Sequence, residues 1–184
     1  MIELMISMAM GLLIMAGITA MFVSYGKTST AVSSRTERMG DLYLAIQIMQ
    51  GDLRMSAFSS ASMARPTDLA SRGGGVSLPS GYPTTFASGL PYWDATTKTL
   101  TYQDQDGNTG IFQYQHTSND RLYWLRPDAT FSTFQELIRD LDTSSGMTVS
   151  TSSGLWTVTL NSAYENEEKS SENISLSFNT WPRN

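Results

Sequence analysis

The side chains able to do chemistry are few and poorly grouped for it. The 184-residue chain has one histidine, His116, and no cysteine, which excludes disulfides, thiolate or multi-histidine metal sites and a cysteine nucleophile. A Ser/His/Asp arrangement would need His116 as base, but it sits in Gln115-His116-Thr117-Ser118 and no nucleophile motif surrounds any serine. Asp140 and Asp142 stand two apart on an expected helix end, where side chains do not face each other. Asp104, Asp106 and Asn108 around Gly107 partly resemble a calcium loop, yet the Gly after the third ligand and the distant bidentate Glu are missing. A hairpin turn accounts for the same residues. Glu165, Glu167, Glu168 and Glu172, interrupted by Lys169, read as a solvated loop, with a cation or partner site as the other reading. No enzyme activity, cofactor or metal is expected. Twelve Lys and Arg against 17 Asp and Glu give a net charge of −5, and with a pI of about 4.7 there is no basic footprint for nucleic acid.

One carboxylate is different. Glu3 heads a stretch with no other charge through residue 26, and residues 4–25 are polar only at Ser7, Thr19 and Ser24, with Gly11 and Gly17 as further exceptions to the apolar run. As a helix these 22 positions span ~33 Å, enough for a bilayer core. A cleavable secretory signal would start with basic residues and have a shorter apolar stretch. Carrying Glu3 to the bilayer centre would cost ~2.5 kcal/mol or more, whereas its own helix N-terminus favours it by ~0.3 to 1 kcal/mol. The nearest cations, Lys27, Arg35 and Arg38, follow the run and would hold the C-terminal part in the cytoplasm, unless a basic leader preceded the chain. Ser7 and Gly11, like Ala16 and Ala20, lie four apart on one face and allow helices to approach closely.

The elements that position these residues follow from periodicity. There is no proline before Pro66, and Met39, Leu42, Ile46, Met49 and Leu53 recur at spacings of 3, 4, 3, 4. This predicts an amphipathic helix over 27–58 that docks on a globular head, continuous with the membrane half and ~85 Å long in all. Residues 64–91, with Gly73-Gly74-Gly75, Pro66, Pro79, Pro83 and Pro91, read as a long connection. Its aromatics Tyr82, Phe86, Tyr92 and Trp93 suggest packing on the head, with partner binding as the alternative. Alternation then predicts strands at 99–103, 110–115 and 122–125, with turns at Asp106-Gly107-Asn108 and Ser118-Asn119-Asp120. A short amphipathic helix is expected over 131–141, with Phe134, Leu137, Ile138 and Leu141 on one side, before strands at 147–151, 155–161 and 174–178. The fold class is α+β, a long N-terminal helix packed on an antiparallel sheet, divided as 1–26, 27–63 and 64–184.

Ile2-Glu3-Leu4-Met5-Ile6-Ser7, leading into an uncharged helix, resembles the start of a mature type IV pilin or pseudopilin. Met49-Gln50-Gly51-Asp52-Leu53-Arg54-Met55-Ser56-Ala57-Phe58 is similar to the end of the long helix in PilW-type minor pilins and in the J-type pseudopilins of type II secretion. The order of loop, meander and terminal strands, closing on Pro182-Arg183-Asn184, is similar as well. The resemblance implies a filament subunit that waits in the bacterial inner membrane as a single-pass protein and is then extracted into a periplasm-spanning or extracellular filament. Its partners would be other pilin or pseudopilin subunits, a prepilin peptidase and an assembly platform, with methylation after processing. Glu3 would pair with the N-terminal amine of a neighbouring subunit, and Gly11 and Gly17 would serve helix unwinding, there being no proline in the segment and Ala20 near where relatives place one. A leader and two residues of the mature start are expected before Met1. A minor pilin that initiates or caps the fibre is the leading expectation. A type II secretion pseudopilin is the close alternative, and an anchored binding or adhesin domain that does not polymerise the rival from another class.

Overall fold

The computed structural model describes residues 2–72, 76–115, 120–128, 130–165 and 171–182. Met1, the triglycine 73–75, the turn residues Ser118 and Asn119, His116, the loop residues Glu167, Glu168 and Lys169, and the closing Arg183 and Asn184 lie outside the described residues.

Helix α1 runs unbroken over Ile2–Met55, 54 residues and ~81 Å. Several of its hydroxyls do not compete with the helix, because they are turned back onto it. Ser7 donates to the Glu3 carbonyl (2.9 Å), Thr19 to Met15 (2.8 Å), Thr28 to Ser24 (3.2 Å), Thr30 to Gly26 (3.0 Å) and Thr36 to Val32 (2.9 Å). The helix stops three residues short of the expected 58. The buried Ser56 hydroxyl takes the Leu53 carbonyl at 2.7 Å, and the Ala57 amide leaves the helix to bond Gln103 of the sheet at 2.8 Å.

Only the C-terminal part of α1 meets the head. Leu42, Ala45, Ile46, Met49 and Leu53 are buried there. Met39, expected in the same stripe, is 42% exposed and lies outside the main core.

The head is antiparallel throughout. Strands β3 (Tyr92–Asp94), β4 (Thr99–Gln103), β5 (Thr109–Gln115), β6 (Arg121–Leu125) and β7 (Gln135–Ile138) form a five-stranded meander. Strands β8 (Met147–Ser152), β9 (Leu155–Glu165) and β10 (Ser171–Thr180) form a second sheet with β9 in the middle. Helix α1 packs on β9, β10 and β7. One core joins it to Leu100, Tyr102, Phe112 and Leu122 of the larger sheet and to Trp156, Val158, Leu160 and Phe178 of the smaller. Tyr102 crosses to Gly110 on β5, where a Cβ would overlap the tyrosine ring, so glycine is what lets that ring lie flat.

The opposite face of the five-stranded sheet is covered by the long connection. Strands β1 (Met63–Ala64) and β2 (Thr85–Phe86) pair within it, around a single turn α2 (Asp68–Ser71). Leu69, Tyr82, Phe86 and Leu90 form a second core with Ile111 and Leu125. Arg72, 2% exposed, donates to the carbonyls of Thr109 (2.6 Å) and Arg126 (2.9 Å) and pairs with Asp68 at 2.7 Å. Asp68 in turn accepts the Thr109 amide and hydroxyl, both at 2.8 Å. Tyr82 and Phe86 are therefore packed on the sheet, while Tyr92 and Trp93 are half-buried.

The expected helix over 131–141 does not form. Gln135–Ile138 is strand β7, paired with β6, and the backbone takes a left-handed turn at Asp140 (φ 56°) before Leu141 bridges Ser162. Phe134 packs on the second core, while Ile138 and Leu141 enter the main core from a strand and a turn. Pairing with the open side of β6 outcompetes a helix of three turns, which is marginal by itself.

Candidate functional site

The N-terminal half of α1 carries the sequence's most distinctive residues. It is long and apolar enough to cross a membrane, and none of its apolar window is buried. Glu3 lies in the first turn, and its carboxylate makes no hydrogen bond or ion pair among the described residues. Ser7 and Gly11 continue up the helix, and at Gly11 and Gly17 a side chain would meet nothing within 4 Å. Nothing inside the chain therefore requires glycine there, and the helix passes through both without a break. Ala16, Thr19, Ala20, Val23, Ser24 and Lys27 leave a shallow trough on one side. Apolar side chains also remain outside on the docked half, where Tyr43 is 60% and Leu44 55% exposed.

The second arrangement fastens α1 to the sheet. Tyr102, Phe112 and Trp124 stack across β4, β5 and β6, with ring centroids 5.4 and 6.1 Å apart. At the edge of the stack the Tyr102 hydroxyl donates to Asp52 of α1 and accepts the Trp124 indole N–H at 3.1 Å. Burial raises the Asp52 carboxyl above its ordinary range, against the hydrogen bonds from Tyr102 and Trp124 that lower it. The Tyr102 hydroxyl is likewise pushed well up by burial and by the neighbouring Asp52. In the sequence Asp52 stands out only as a member of the 49–58 block. Its isolation on a face whose neighbours Met49 and Leu53 are apolar was the available signal.

The acidic candidates are spent on local structure. Asp104 accepts the amides of Asp106 (3.0 Å) and Asn108 (2.8 Å) and the Asn108 side chain (3.1 Å), with Gly107 at φ 82° in the turn. Asp142 accepts the amides and hydroxyls of Ser144 and Ser145, which lower its carboxyl to about 2, and Asp140 pairs with Arg38 of α1 at 2.5 Å. Glu165 ends β9 and Glu172 lies in β10, brought near each other by the pairing of those strands. Among the described residues no three acidic or histidine side chains converge as a metal site.

No family model, curated protein or solved structure matches this chain.

Proposed function

We propose that the chain is a structural subunit of a type IV pilus or related filament, of the PilW-like minor-pilin kind, that starts or caps assembly. The observation that carries this reading is the division of α1: one continuous helix, apolar and unburied at one end and fixed into a head at the other. The unburied half has two suitable solvents. In the inner membrane it is covered by lipid, and in a filament by the same halves of neighbouring subunits, with Gly11, Ala16 and Ala20 letting backbones approach. The outward Tyr43 and Leu44 then meet a neighbour above the membrane level. The role is assembly rather than catalysis.

Glu3 supplies register. Helices sliding past one another in lipid have little axial preference unless a desolvated charge must meet its counter-charge, here the N-terminal amine of a neighbour. At an effective dielectric constant near 20 that attraction is about 4 kcal/mol at 4 Å, from which desolvation is subtracted. A residue of 1.4 kcal/mol changes incorporation about tenfold. Glu3→Ala in the complete reading frame is expected to fractionate with membranes as the wild type does, since the apolar segment dominates insertion. Immunoblots of sheared filaments should show about tenfold less of it. Wild-type incorporation would remove this role for Glu3 and favour an anchored domain that does not polymerise.

A further inference from the structure

At the far end of the head the two sheets part. Along β8 the inward-facing residues change from buried Met147 through half-buried Val149 to exposed Thr151, so the core opens outward. The opening is a cleft of about 320 Å³ lined by Phe58, Ser88, Tyr92, Trp93, Thr151 and Trp156 among others. Phe58 follows the end of α1, so the cleft is ~44 Å along the helix axis from Gly26. We infer that this cleft binds an uncharged saccharide of one or two rings.

Three features of the lining select that ligand. No charged side chain borders the cleft, so an ionic ligand would find no counter-charge. Four aromatic rings offer flat apolar faces. Between them lie hydrogen-bonding groups with no partner among the described residues: the hydroxyls of Ser88, Tyr92 and Thr151 and the indole N–H groups of Trp93 and Trp156. Trp156 is 7% exposed, so its ring is held in place by the core while one edge borders the cleft. A pyranose ring answers both demands, stacking its C–H face on an aromatic ring and turning hydroxyls to the polar rim. An apolar peptide side chain would cover the rings but leave those donors and acceptors desolvated and unpaired. The cleft is at the small end of ligand sites, which limits the bound portion to a short saccharide segment. The inference does not depend on polymerisation.

The test uses the full chain in lipid nanodiscs, free of sugar-based detergent, titrated with cellobiose, lactose, maltose and chitobiose to millimolar concentration. Tryptophan fluorescence and saturation-transfer NMR report binding. At least one disaccharide should bind saturably, and Trp93→Ala and Thr151→Trp should each weaken it tenfold or more. Thr151 is exposed, so Thr151→Trp fills the cleft while the thermal midpoint stays at the wild-type value. Failure of all four sugars to bind, undiminished binding in Thr151→Trp, or saturable binding of a neutral aromatic tripeptide without any of the sugars would each overturn the assignment.

Discussion

The two halves of α1 have the same secondary structure and opposite reasons for it. From Ile2 to Gly26 no side chain is covered by the rest of the chain, yet nearly all are apolar; from Leu42 to Leu53 a narrow stripe of five is buried and the remaining faces mix Gln47, Gln50 and Asp52 with Tyr43, Leu44 and Ile48. The second half is held by tertiary contacts; the first has none within the chain, and on the reading proposed above lipid or neighbouring subunits cover it. Substitutions should therefore divide along the same line. Leu53→Ala or Met49→Ala is expected to lower head stability by ~2 to 5 kcal/mol, because a fully buried side chain is lost and a cavity remains. Leu13→Ala should leave it unchanged. Denaturant unfolding of the full chain in micelles, followed by tryptophan fluorescence, compares them directly; a large loss for Leu13→Ala would mean that the halves are not energetically separate.

A smaller effect sharpens the comparison at the docked end. Because the folded head holds the Asp52 carboxyl above its ordinary value of 3.8, it binds more protons than the unfolded chain from that pH up to the raised value. Stability should fall as pH rises through that interval. Asp52→Asn should flatten this slope while keeping the hydrogen bond from Tyr102. The opposite slope below pH 3.8, contributed by Asp142 as its carboxyl protonates towards about 2, should remain. Unfolding midpoints measured across the acid range in both proteins decide this, and identical slopes would show that Asp52 is not titrating in place. Smallest is the effect at the edge of the docked half: Arg38→Ala, which removes a partly exposed pair with Asp140, is expected to cost ~0.2 to 1 kcal/mol. Met39→Ala, at an exposed site, should change stability by less than ~0.5 kcal/mol in the same unfolding assay.

What the sequence makes legible follows the same division. The long helix and the strands near 99, 110, 122, 147, 155 and 174 declare themselves because each period persists over enough residues and the chain breaks at turns such as Asp106-Gly107-Asn108. Residues 131–141 carry a helical period without forming a helix, for a physical reason. Phe134, Leu137, Ile138 and Leu141 have helical spacing, but it arises from a short strand followed by a left-handed residue at Asp140 that returns Leu141 to the core. Local periodicity cannot see the β6 edge that recruits it. Strand β3 was hidden by its length of three residues beside Pro91, and the Asp52–Tyr102–Trp124 contact by separations of 50 and 22 residues. The aromatic cleft draws on segments as distant as Phe58 and Trp156, whose meeting depends on how two sheets diverge.

The inward-turned hydroxyls of α1 have a mechanical consequence. A serine or threonine that already donates to its own helix presents no unmet donor when the surrounding water is exchanged for hydrocarbon, so within the segment proposed to cross the membrane Ser7 and Thr19 do not mark a preferred depth. The stops are the first full charges at either end, Glu3 and Lys27, 24 residues or ~36 Å apart along the axis. Against a hydrocarbon layer of ~30 Å this leaves ~6 Å of free travel, about one helical turn. In the membrane proposed for it the helix would be a piston with two end-stops, able to rise or sink by a turn without dragging a full charge out of its medium.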